Sequence, residues 1–209
     1  MLCLIIMLLT GDSKLAREEQ KLRSETVRQA ILDTAMEIGL REGFEALSIR
    51  KIINRMRYST GVVYHHFKDK QEIIDAIEAA ETDKLHSIIT GLLDDGRDII
   101  YNMTAVFHRI MLLAFEEPEK YNLIVLNKYS RRIESRPQWL SYISEGLKKA
   151  IQAGLVRNMD PEKAAFSIWS SFLGFNLTIS RQTDLTIEKA EALFEVQLSI
   201  ILKGVLNYE

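Results

Sequence analysis

Residues 48–70 read SIRKIINRMRYSTGVVYHHFKDK, and the fold turns on this stretch. Ser48 is followed by Ile49, Ile52, Ile53 and Met56 at the i, i+3, i+4, i+7 spacing of one helical face, with Arg50, Lys51, Asn54 and Arg55 on the other. After about three turn residues, Ser59 opens a second short helix that stops near Phe67. At about 100° per residue, Val63 and Phe67 fall on one side and anchor this helix to a core. Thr60, at the exposed N-terminal end, and Gly61, Val62 and His65 then point away. Two short amphipathic helices joined by a tight turn and preceded by a supporting helix form a helix-turn-helix pattern.

The outward residues suit a DNA groove. Gly61 lets the backbone come close, Val62 and the Thr60 methyl can touch a thymine methyl, and His65 or the Thr60 hydroxyl can reach base edges. Tyr64 and His66 flank that face, within reach of phosphate. Lys70 sits in the first turn of the next helix, where backbone amides also attract a phosphate. Residues 48–70 hold six Lys or Arg against the single acid Asp69, +5, whereas residues 73–209 sum to −4. A basic module on a mildly acidic body suits a protein that touches phosphates with one end. Charge runs are more often solvated helical faces, so the residue pattern and not the charge decides.

Working outward, Ser24 is expected to cap a helix with Val27, Ala30, Ile31, Thr34, Ala35 and Ile38 on its inner face, ended by Gly43. Asp69 followed by Glu72 is a capping-box pattern that restarts a helix to about Ile89. Further helices are expected over about 95–116, 119–132, 137–153, 162–179, started by Asp160 and Pro161, and 186–206. The domain reading is an N-terminal extension over 1–23, a helix-turn-helix domain over 24–72 and a helical domain over 73–209. The first nine residues, MLCLIIMLL, are too few to cross a bilayer and lack a preceding positive charge. A docking segment or an upstream-extended start fits them better than a signal peptide.

Composition agrees with an all-α chain. Its 209 residues are 47 % hydrophobic and 27 % charged, with only ten Gly and three Pro to break helices. The lone cysteine, Cys3, allows neither an internal disulfide nor a cysteine zinc site, so the chain reads as cytoplasmic, with no membrane partner. Asp83 and His86 have ligand-like spacing and His108 lies on a later helix, but no Glu-x-x-His motif accompanies them, so no metal or cofactor is expected. No phosphate loop or nucleophile elbow appears either, which leaves an enzyme reading without support.

The helix over 162–179 is apolar around most of its circumference, which favours a subunit interface over the centre of a monomer. With the 186–206 helix it is expected to build a two-fold homodimer through Phe172, Phe175, Phe194, Leu198, Ile201 and Leu202. Aromatic and Met side chains of the C-terminal region, Met103, Phe107, Met111, Phe115, Tyr129, Trp139, Trp169 and Phe172, with polar His108 and Asn176, are candidates to line an apolar pocket. Most such stripes are ordinary core.

The run AILDTAMEIGLREGFEALSIRKIINRMRYSTGVVYHHFKDKQEII, residues 30–74, resembles the N-terminal DNA-binding domain of the TetR family of bacterial transcriptional regulators. The resemblance rests on Gly43 with Phe44, on Ser48 with Ile49, and on the block from Tyr58 to Lys70. It implies a three-helix DNA-binding domain, a divergent helical ligand-binding and dimerisation domain, and an Ω-shaped homodimer. It also implies base reading by Thr60, Val62 and His65 and phosphate contacts from Ser48, Tyr64, His66 and Lys70. The expected function is a repressor released from a palindromic operator in double-stranded DNA by a small-molecule inducer; the alternative is a DNA-organising or interaction protein with no inducer. Two departures stand out. Where the family usually has a turn glycine, this chain has Arg57, at a position that needs positive φ. Either the turn opens or Arg57 adds a compensating phosphate contact. Trp169 and Gly174 resemble a Trp and His-Gly pattern of some members, but Leu173 replaces the histidine, so no ligand role transfers.

Overall fold

The computed structural model describes residues 2–93, 97–129 and 139–206, with side chains from Arg17 onward. Among the described residues there are nine α-helices and no β-sheet, with one isolated bridge between Val156 and Leu206. The chain divides into two compact units, Met1–Ile77 and Glu78–Glu209. The division falls inside a helix, beyond the 72/73 boundary expected from sequence.

The first unit holds α1 (Leu2–Glu42), a 3-10 turn (Phe44–Ala46), α2 (Ile49–Met56), α3 (Thr60–His66) and the start of α4 (Lys70–Leu93). The helix expected to begin at Ser24 instead runs through it, so the extension over 1–23 is helical from Leu2. Residues 14–23, KLAREEQKLR, are nearly all strong helix formers, and exposed i, i+4 ion pairs, Glu19 with Arg23 and Lys21 with Glu25, bridge successive turns. A cap residue does not start a helix where nothing upstream breaks it.

Gly43, at φ 83°, ends α1 and turns the chain back so that the Phe44 ring lies against Gly39. A Cβ at Gly39 would come within 2.4 Å of that ring. The core of this unit is Ile31, Ala35, Ile38, Phe44, Leu47, Ile52, Val63, Phe67, Ile73 and Ile74, all buried. Ser48 caps α2 by accepting from the Lys51 amide at 3.2 Å. Asp69 accepts from the Glu72 amide at 2.9 Å while the Glu72 carboxylate accepts from the Lys68 amide at 2.8 Å, a reciprocal start for α4.

The second unit holds the rest of α4 with α5 (Ile99–Glu116), α6 (Pro118–Ile124), α7 (Trp139–Gln152), α8 (Pro161–Ile179) and α9 (Ile187–Val205). Asp98, Asp160 and Thr186 cap α5, α8 and α9 with their side chains. The helix expected over 119–132 closes at Ile124: the Leu126 amide bonds back to Tyr121 O and Asn127 takes φ 49°, a left-handed stop that asparagine tolerates. The remainder of that expectation, 130–132, lies outside the described residues. By length and apolarity α5 alone among the described helices qualifies for a bilayer, yet it packs against α6, α7, α8 and α9 as a core helix. Phe107 stacks on Phe172 with ring centres 4.0 Å apart, and Phe172 meets Phe194 at 5.8 Å, which ties α5, α8 and α9 together.

Arg57 ends α2 in the left-handed region, φ 58° and ψ 28°, with its amide bonded to Ile53 O at 2.9 Å. The turn therefore stays closed and the arginine adopts glycine's conformation, at a cost of about 1 kcal/mol. Arg57→Gly is expected to raise unfolding stability by about 0.5–1 kcal/mol, measured as a higher denaturant midpoint with unchanged slope; an unchanged or lower midpoint contradicts this account.

Candidate nucleic-acid interface and ligand cavity

A helix of seven residues is too short to hold itself in water, so the direction in which α3 presents its side chains depends on its anchors. Val63 and Phe67 are buried at 0 and 2 % exposure, and the Arg28 guanidinium lies 5.0 Å over the Phe67 ring. With that side down, Thr60, Gly61 and His65 are exposed as the helical angle requires, whereas Val62, expected to point away, is half-buried with His66, and Tyr64, expected at the flank, is exposed. His65 and His66 meet edge to face at 5.1 Å. Burial first, and then the nearness of His65 and of the Arg28 guanidinium, hold the His66 imidazole below its ordinary pKa. At neutral pH His66 is therefore uncharged and able to hydrogen-bond a phosphate without neutralising it.

The cations of this unit divide by what they touch. Lys51 donates to Glu42 at 2.8 Å and Arg55 pairs with Glu37, so both are partly neutralised at the foot of α1. Hydrogen bonds from Lys51 and Arg41 hold the Glu42 carboxyl at about 2. Lys70 Nζ donates to the carbonyls of Glu45, 3.2 Å, and Leu47, 3.3 Å. It thereby ties the start of α4 to the turn before α2, a structural role that sequence reasoning missed because the two partners are backbone carbonyls more than twenty residues away. Arg57 is exposed, and Ser48 spends its oxygen on the α2 cap.

The second unit contains a cavity of about 570 Å³. Its apolar wall includes Ile89, Met103, Val106, Phe107, Ile110 and Ile143, and both tryptophans of the chain, Trp139 and Trp169, line it with their rings stacked at 5.7 Å. The charged lining residues Arg97, Glu145 and Lys149 are all exposed, so charge is confined to the mouth. His86 Nε2 and the Tyr142 hydroxyl, 2.6 Å apart, link α4 to α7 beside it. Gly146 admits Met103 so closely that a Cβ there would sit 2.8 Å from the sulfur.

Of the ten pocket candidates, Met103, Phe107, Trp139 and Trp169 line this cavity. The others do not. Met111 and Phe172 are packed into the core and Phe115 packs against it. His108 faces α9, with Nε2 3.5 Å from Glu191. Tyr129 donates to Glu119 at 2.7 Å. Asn176 is buried near the Tyr121 hydroxyl, which burial pushes up to about 12. A stripe of aromatics gives helical side but not depth, so core and cavity wall look alike in sequence. The polar wall residue Asn102, buried and donating to Leu93 O at 3.0 Å, carried no signal in the aromatic pattern.

Of the interface candidates, Phe172 and Phe194 are buried within the single chain, and Phe175, Leu198, Ile201 and Leu202 are half-buried. The apolar side chains that α8 and α9 leave exposed are Phe166, Leu193, Val196 and Ile200, at 62, 45, 58 and 63 %. Among the described residues no three His, Cys, Asp or Glu side chains come together as metal ligands would.

Residues 31–77 match the family described as bacterial regulatory proteins, tetR family. The transcriptional repressor AcnR of Corynebacterium glutamicum is 24 % identical over 140 residues, covering 64 % of this chain and 66 % of AcnR, just under two thirds of that protein's length. In fold, the chain resembles AibR, solved with isovaleryl coenzyme A and operator DNA, at a TM-score of 0.66, 24 % identity and coverage of 83 % of this chain and 97 % of AibR. SmeT, the repressor of a Stenotrophomonas maltophilia multidrug efflux pump, gives a TM-score of 0.66 at 24 % identity, covering 86 % of this chain and 90 % of SmeT. These likenesses are to regulators and not to enzymes. With its helix-turn-helix domain matched from Ile31 to Ile77 and a body that shares its fold with those regulators, the chain is similar to the TetR family of bacterial transcriptional regulators.

Proposed function

We propose that the protein is a cytoplasmic, homodimeric repressor that binds a palindromic operator through α3 and leaves it when a small molecule enters the cavity of the second unit. The observation that carries this reading is the outward face of α3, Thr60, Gly61, Val62 and His65, held in place by two buried anchors. Base reading is assigned to those four residues, and phosphate contacts to Tyr64, His66 and Arg57, with Ser48 and Lys70 acting mainly through the backbone they brace. AibR, with its coenzyme A ester and operator DNA, supports a regulator that takes both kinds of partner. The cavity favours this over a DNA-organising protein without an inducer, since an apolar hollow lined by two tryptophans costs packing and has no use in a purely architectural role.

Mutational patterns separate the roles assigned here. Thr60→Ala and His65→Ala are expected to cost about 1–3 kcal/mol on the operator and relax base preference, while Arg57→Ala weakens all sequences alike and flattens the salt slope. Equal losses on operator and random DNA for all three, measured by fluorescence anisotropy across a salt series, contradict the assignment.

Dimerisation is assigned to α8 and α9 through Phe166, Leu193, Val196 and Ile200, in place of the buried Phe172 and Phe194. Ile200→Glu would put a charge into that contact and is expected to give monomers in analytical ultracentrifugation, with helicity retained. A wild type that sediments as a monomer at micromolar concentration rules the dimer out.

Because both tryptophans line the cavity, tryptophan emission, excited selectively over tyrosine, reports on it. Small apolar compounds that change this emission are expected to lower operator affinity roughly 5- to 150-fold, the range of ordinary allosteric coupling. Helix α4 carries Ile89 and Leu93 in the cavity wall and is continuous with the first unit, which makes it the route for that coupling. Compounds that saturate the emission change and leave operator binding untouched contradict induction.

A further inference from the structure

Helix α1 does not stop where the DNA-binding domain needs it to stop, and one stripe of its surplus length flanks the face of α3 that points outward. Gln20, Arg23, Ser24 and Val27 follow one another at i, i+3, i+4 and i+7, so they share one side of α1. They line a single shallow concave surface with Ser59, Gly61, Val62, His65 and His66. Three of those, Gly61, Val62 and His65, are outward residues of α3. Val27 supplies an apolar contact, and Gln20 and Arg23 are exposed.

The chemistry of this surface is uniform. Its polar side chains are an amide, a guanidinium, two hydroxyls and two imidazoles, and no carboxylate lines it. The acids of the same stretch of helix, Glu18, Glu19 and Glu25, are absent from the lining; Glu19 makes a long, exposed pair with Arg23 at 3.9 Å, and Glu25 one with Lys21 at 3.8 Å. Glutamine and arginine are the two side chains that pair bidentately with adenine and guanine edges, and arginine also grips phosphate. A helix beside α3 with these groups on the shared side is placed to meet nucleotides next to any that α3 contacts.

We propose that Gln20 and Arg23 of α1 form a second reading element beside α3, so that each operator half-site extends beyond the bases contacted by Thr60, Val62 and His65. The proposal rests on the DNA-binding reading above. It makes α1 part of the interface with double-stranded DNA and gives the residues ahead of Ser24 a function besides supporting the helix-turn-helix.

The test is selection from a randomised duplex library by the full-length protein, followed by affinity measurements on the selected sequence. Wild type is expected to yield a palindromic motif. Thr60→Ala should lose preference at positions inside each half-site, whereas Gln20→Ala and Arg23→Ala should lose it at adjacent positions, each with a roughly five-fold or greater fall in affinity, the low end for a base contact. Lys21→Ala, which removes a charge from a different side of α1, should leave the motif unchanged. All four positions are exposed, and circular dichroism checks that each variant folds. If the Gln20 and Arg23 variants select the wild-type motif with wild-type affinity, the second element does not exist while α3 reading stands. Tighter binding by those variants would mean that α1 obstructs DNA, which also overturns the proposal. A wild type that selects no motif removes the DNA-binding reading itself, and this inference with it.

Discussion

Everything the first unit can do depends on two buried side chains, Val63 and Phe67. A two-turn helix has almost no stability of its own, and rotating it by one residue would turn a different set of groups outward. The neighbouring elements serve to make the socket rigid. The Phe44 ring closes over Gly39, Ile52 comes in from α2, and Lys70 ties the carbonyls of Glu45 and Leu47 to the first turn of α4. Thr60, Gly61 and His65, exposed on the other side of α3, take no part in that socket.

The first unit was largely legible in sequence, since its structure is set by local signals that act within a few residues: Ser48 and Asp69 as caps, Gly43 as a stop, and apolar residues at helical spacing. Where local signals compete, reading fails. Ser24 is a good cap residue, but the strong helix formers before it carry α1 straight through. Asn127 is a modest stop signal that ends α6 well ahead of the apolar and charged pattern that continued past it. Arg57 breaks a local rule and the turn keeps its shape anyway, because the α2–α3 packing demands a left-handed residue there whatever its side chain.

The second unit was legible as helices but not as a site. Phe107 and Phe172 lie in adjacent layers, one touching the cavity and the other stacked behind it, and periodicity places both simply on the inside. The same blindness applies to Phe172 and Phe194 on α8 and α9, apolar positions that the chain's own core buries. Side chains left over after the core is filled, such as Val196 and Ile200, are visible only once depth is known.

Two polar atoms bear on what the cavity can hold. Asn102 Oδ1 and Trp139 Nε1, on two helices that border the cavity, are buried with no hydrogen-bond partner among the described residues. One is an acceptor on α5 and the other a donor on α7. Buried polar groups that the protein leaves unmatched are ordinarily satisfied by ordered water, so these atoms mark the points at which water, or the polar atoms of a bound molecule, meet a largely apolar wall.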